Sequence, residues 1–72
     1  MTLAEYLASR NLTQAEFAAK VGVEQATIGR YAKGERFPRQ RHLEAIERET
    51  GGLVSAQDHV ETWRLYQERA TA

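Results

Sequence analysis

Residues 13–31, TQAEFAAKVGVEQATIGRY, decide how the rest of the chain is read. Thr13-Gln14-Ala15-Glu16 has the form of a capping box, in which a hydroxyl takes one orphan N–H of a helix start and a carboxylate reaches back for another. Phe17, Ala18 and Val21 follow at helical spacing as an apolar stripe. Gly22 ends that helix, because glycine accepts the left-handed conformation of a C-terminal cap without a Cβ clash. A second helix is expected over about Gln25–Lys33, closed by Gly34. Only a few residues separate the two, and helices joined so tightly cross steeply, as in a helix-turn-helix.

At ~100° per residue the helix from Gln25 has two faces. Glu24, Thr27, Ile28 and Tyr31 group on one side, and Ile28 and Tyr31 suit packing on Phe17, Ala18 and Val21. Gln25, Ala26, Gly29, Arg30 and Lys33 form the other, which is small, polar and ends in two cations. Two readings are open for it. It is a solvated face with a glycine of no consequence, or it enters a major groove. There Gln pairs with adenine, Arg with guanine, and an alanine methyl can touch thymine. A mid-helix glycine costs about 1 kcal/mol relative to alanine, and close approach to a groove would supply its reason. Turn, packing face and polar face together favour the second reading.

The pattern extends outward on both sides. Thr2-Leu3-Ala4-Glu5 is another capping box, followed by Leu3, Tyr6 and Leu7 at helical spacing, and Asn11 suits the turn before Thr13. After Gly34, Glu35 to Phe37 reads as a loop. Pro38, the only proline, fits the entry of a fourth helix, where its missing N–H costs nothing. That helix carries Leu43 and Ile46 inward to about Glu49, and Gly51-Gly52 stops it. Ser55-Ala56-Gln57-Asp58 is a third capping box, opening a fifth helix over about 55–70. No stretch alternates with period two. The expectation is an all-α fold of five helices, one domain across residues 1–72, with the helix-turn-helix at about 13–33.

Composition bounds what such a chain can be. It has 72 residues and no cysteine, so disulfides, thiol nucleophiles and cysteine-based zinc sites are excluded. A chain this short buries only about 60% of its unfolded surface. Neither a signal peptide nor a membrane span is apparent, and the simplest compartment is the cytosol. Ten basic and ten acidic residues cancel, which argues at first against a nucleic-acid partner. The distribution reverses that. Residues 1–43 carry seven basic side chains (Arg10, Lys20, Arg30, Lys33, Arg36, Arg39, Arg41) and four acidic (Glu5, Glu16, Glu24, Glu35), giving +3. Residues 44–72 carry three basic and six acidic, giving −3.

The stretch from Thr13 to Tyr31 resembles the helix-turn-helix of the Cro/cI (XRE) family of phage and bacterial repressors, with Ala18, Gly22 and Ile28 at the diagnostic spacing. The similarity covers about residues 2–50, including Lys33-Gly34 and the Pro38 helix entry. The stretch from Ile46 to Ser55 looks like small prophage Cro-type regulators and related antitoxins. The resemblance implies a compact, lambda repressor-like five-helix domain. Its partner would be a double-stranded DNA operator, bound in the bacterial cytoplasm at the nucleoid. It implies no catalysis, cofactor, metal, small-molecule ligand or membrane. Gln25, Ala26, Gly29 and Arg30 match positions that face base edges. Gln14, Thr27, Lys33, Arg36 and Arg39 match positions at or beside phosphates, and Arg10 could add to them. Phosphate contacts fix register and base contacts specify sequence. The implied activity is that of a homodimeric repressor on a palindromic operator. The alternatives are an antitoxin that binds a protein toxin and regulates itself, or a protein-interaction module that retains the fold. Two departures stand out. Glu24 occupies a place where Ser or Thr is common and would repel phosphate unless it caps the third helix. Glu35 sits among the loop cations with the same effect.

The remaining features are weaker. Val60, Trp63 and Tyr66 share a face of the last helix, while Leu65 points elsewhere. Trp63 either closes the subunit core or joins Val60, Leu65 and Tyr66 in a dimer seam, where aromatic residues are favoured. Ser9 and Ser55 lack a partner acid or histidine at a telling spacing. His42 and His59 stand far apart, and His42, beside Arg41, is expected to face solvent or phosphate. Glu44, Glu47 and Asp58 read as a solvated acidic face. Gly51-Gly52 lacks the Lys-Ser/Thr of a phosphate-binding loop.

Overall fold

The computed structural model describes residues 1–71, in five helices: α1 (Leu3–Ser9), α2 (Gln14–Val21), α3 (Gln25–Lys33), α4 (Gln40–Glu49) and α5 (Ala56–Thr71). No strand occurs among the described residues. All three capping boxes form. The Thr2 hydroxyl accepts the Glu5 N–H at 3.1 Å, and the Glu5 carboxylate accepts the Thr2 N–H at 2.8 Å. Thr13 and Glu16 repeat this at 3.0 and 2.9 Å. Ahead of α5 the Ser55 N–H donates to Asp58 Oδ2 at 2.8 Å, and the Asp58 N–H donates to Ser55 Oγ at 3.4 Å. These backbone donors hold the Glu16 and Asp58 carboxyls below their ordinary pKa range.

The core joins Leu3, Tyr6 and Leu7 of α1, Phe17 and Ala18 of α2, Ile28 and Tyr31 of α3, Ile46 of α4 and Val54 just ahead of α5. Phe17, Ile28 and Ile46 are completely buried. Burial of each stabilises the fold by about 1.5–3 kcal/mol. The Tyr6 and Phe17 rings meet edge to face, with centroids 6.0 Å apart. α3 packs against α1, α2 and α5, and α2 also packs on α4. Gly22 (φ +84) and Gly34 (φ +92) end α2 and α3 in the left-handed region, and Asn11 (φ +55) makes the turn after α1. Gly34 has a second reason to be glycine. A Cβ there would strike the Thr62 carbonyl oxygen and stand 3.0 Å from Tyr66 Cβ, so α5 rests directly on the backbone at the end of α3.

Several expectations are corrected. Pro38 lies outside α4, which begins at Gln40 with Arg39 at its N-cap; the proline is buried in the approach segment. Its ring instead restricts Phe37 to extended backbone. Leu43 is only half-buried, leaving Ile46 as the buried residue of α4. The end of α4 at Glu49 is as expected, with a C-cap at Thr50 ahead of the glycine pair. Helix α5 runs to Thr71, slightly beyond the expected end. Trp63 does not close the core: it is 41% exposed. The buried residue of α5 is His59, which sequence spacing alone left unassigned.

His59 is 3% exposed, its Nε2 has no hydrogen-bond partner, and the Phe37 ring meets its ring edge-on at 6.5 Å. Burial lowers its pKa from the ordinary 6.5, against an opposing pull from the Asp58 charge. His42 shifts the same way, through burial and then the charges of Arg41 and Arg39. The unfolded chain therefore takes up these protons before the folded one does. Stability is full above the unfolded pKa of about 6.5 and is lost as pH falls from there toward the folded values. Glu16 and Asp58 lose their contributions lower still, below about 4.5 and 3.8. Urea unfolding at pH 7.5 and 5.5 should show lower stability at 5.5, with a shallower dependence in His59→Leu. Equal stability at the two pH values would contradict a neutral, buried His59.

Candidate nucleic-acid interface

α3 is set by its inner edge. Ile28 and Tyr31 are buried, Thr27 is half-buried, and Gln25, Ala26 and Arg30 are exposed on the opposite side. The division follows the helical period that separated the two faces in the sequence. Glu24 stands at the N-cap of α3, but its side chain makes no capping hydrogen bond. Its longer side chain does not place a carboxylate oxygen on the first-turn N–H groups as Asp or Ser would. The carboxylate is thus an exposed anion at the rim of this face.

An open cleft of about 550 Å³ lies between the start of α3, the loop after Gly34 and the start of α4. It brings together four of the expected contact residues, Thr27, Arg30, Arg36 and Arg39, with Glu24 at its edge. Its floor includes Tyr31 and His42, whose hydroxyl and Nδ1 share a hydrogen bond of 2.8 Å. This bond ties α3 to α4 beneath the cations. His42, expected to face solvent or phosphate, is therefore a half-buried support for Tyr31 that also lines the cleft. Burial and the two flanking arginines favour its neutral ring.

The other expected residues lie apart from the cleft. Gln14 is the first residue of α2, and its Oε1 would stand 3.0 Å from a Cβ on Gly29. The amide thus lies beside Gly29, close enough that a Cβ there would require it to shift. Gly29, which is half-buried, thus has a neighbour within the fold as well as a place on the polar face. Arg10, at the C-cap of α1, holds its guanidinium 5.3 Å from the Tyr6 ring centroid. Lys33, at the end of α3, borders a separate shallow pocket with Leu65, Tyr66 and Arg69. Sequence reasoning missed the pairs Tyr31–His42 and Gln14–Gly29. The mid-helix glycine was the available signal for the second; nothing in the spacing signalled the first.

The closely linked, packed pair α2 and α3, its exposed polar face and the adjoining cations define a helix-turn-helix DNA-binding domain. A helix-turn-helix family model matches residues 3–53, from α1 to the segment after α4. The chain belongs to the XRE-type (Cro/cI) helix-turn-helix family, a family of DNA-binding regulators rather than of enzymes. No curated protein and no solved structure matches it. α5 lies beyond the matched stretch. Among the described residues no helix is long and apolar enough to cross a membrane.

Gly29→Ala separates stability from surface geometry. Helix propensity favours alanine by up to about 1 kcal/mol. The atom it meets is the far end of a flexible, exposed glutamine, which can move aside. The variant should be as stable as the parent or more so in urea, while the Gln14 side-chain amide signals shift in NMR spectra. Loss of more than about 1 kcal/mol would mean that the Gln14–Gly29 contact is a fixed part of the packing.

Proposed function

We propose that the chain acts as a homodimeric repressor that places α3 in the major groove of a palindromic operator. The observation that carries the reading is the outer face of α3. Gln25, Ala26 and Arg30 are exposed there, free of packing duty, on a helix that α1, α2 and α5 hold in place. Gln25 and Arg30 would read base edges, with Ala26 against a thymine methyl and Gly29 allowing close approach. Gln14, Thr27, Arg36 and Arg39 would set register on phosphates, with Lys33 and Arg10 at the ends of the contact. Residues 1–72 would serve as one such unit.

The second subunit is inferred from α5. Val60 and Trp63, each 41% exposed, lie on one flank, and Leu65, 46% exposed, lies roughly 160° from Trp63 at ~100° per residue. The expected seam of Val60, Trp63, Leu65 and Tyr66 is thus not one flat patch. Tyr66 is half-buried against Gly34, and a two-fold contact would centre on the Val60–Trp63 flank. Such a dimer would present its two α3 helices to half-sites ~34 Å apart.

Selection of bound duplexes from random DNA tests the first part. Arg30→Ala should cost about 1–3 kcal/mol and relax preference at a single base pair of the selected site. An equal loss on every sequence would make Arg30 a phosphate contact. For the second part, Trp63→Ala leaves the core intact, so sedimentation should show the dimer shifting toward folded monomer. A variant that stays dimeric would move the seam elsewhere.

A further inference from the structure

From Arg30 to Arg41 the chain carries five basic side chains and one carboxylate, Glu35. The structure places that carboxylate beside two of them, Arg30 and Lys33. Gly34 turns the chain back at the end of α3, so that the Glu35 N–H donates to the Arg30 carbonyl at 3.0 Å. The Glu35 side chain then returns along the same residue: Oε2 lies 3.8 Å from Arg30 Nε, and Oε1 lies 4.0 Å from Lys33 Nζ. Backbone and side chain of Glu35 both address Arg30, so the cap of the helix keeps the anion within reach of this guanidinium.

The geometry at Arg30 matters because its donors are not equivalent. A carboxylate beside Nε leaves the two Nη groups free at the far edge of the guanidinium. That edge can donate two hydrogen bonds at once, the pattern that guanine O6 and N7 accept. The same negative charge opposes phosphate, the competing partner of both Arg30 and Lys33. The three side chains are 41–67% exposed, so water screens the pair and it adds little to folding stability. Its consequence is for what the cations bind.

We propose that Glu35 is a specificity-determining positioning residue: it orients Arg30 toward a base edge and disfavours settling of Arg30 and Lys33 on the DNA backbone. This rests on the reading of α3 as the DNA-reading helix.

Glu35→Gln tests it, since the amide keeps size and the backbone bond while removing the charge. Affinity is measured for the selected duplex and an unrelated one, and base preference is measured by repeating the selection. Affinity for the unrelated duplex should rise about two- to fivefold, the range of a surface ion pair. Affinity for the selected duplex should rise less, and preference should broaden at the base pair read by Arg30. In an Arg30→Ala background the substitution should leave that preference unchanged. Equal gains on both duplexes with preference intact would reduce Glu35 to a general charge effect and overturn the proposal. So would a lowered unfolding midpoint with preference intact, which marks a structural role. A parent chain that selects no duplex at low salt overturns the DNA reading and the inference together; selection with an unchanged ratio overturns the inference alone.

Discussion

The structure depends on covering the inner edge of α3. That helix has nine residues, too few to persist alone in water, so its helicity is supplied by packing. Ile28 and Tyr31 provide the apolar surface, and α1, α2 and α5 close over it. The short turn at Gly22 lets α2 cover one side without hiding the other. The outer face is left exposed by the same arrangement. A helix held from one side presents the rest of its circumference with little freedom to move, which is what a groove-reading element requires.

Backbone at the helix ends then places the charges. Gly34 permits both the close seat of α5, through its Thr62 carbonyl, on the end of α3 and the turn that returns Glu35 to Arg30. Pro38 and the Tyr31–His42 bond fix the path from α3 to α4, so that Arg36 and Arg39 stand across the cleft from Arg30. The surplus of positive charge in residues 1–43 is in part gathered there, while α4 and α5 carry most of the acids. A net charge of zero therefore describes a molecule with unlike sides, and it limits the indiscriminate attraction to DNA that a wholly basic chain would have.

Much of this was legible in the sequence because it is local. Capping boxes act over three residues, and all three form at Thr2, Thr13 and Ser55. Helical period separated Ile28 and Tyr31 from Gln25, Ala26 and Arg30, and left-handed glycines marked the ends of α2 and α3. What escaped lies in contacts between elements. Period tells which side of a helix is apolar but not which neighbour covers it. It could not show Gln14 lying over Gly29, His42 under Tyr31, or His59 rather than Trp63 turned inward on α5. Pro38 was misplaced because a proline suits both the first helical turn and the segment before it. For the candidate contact residues the sequence supplied the face, and the fold divided them: four border one cleft, while Arg10, Gln14 and Lys33 lie outside it.

The central claim is that the outer face of α3 meets DNA. The most direct measurement is an NMR titration of the isotopically labelled chain with a duplex obtained by selection, following every backbone amide. Shifts should concentrate at Gln14, over Gln25–Arg30 and in the loop from Glu35 to Arg39, with α1 little changed except near Arg10. Shifts centred on α5, with the amides of Gln25 to Arg30 unmoved, would contradict it.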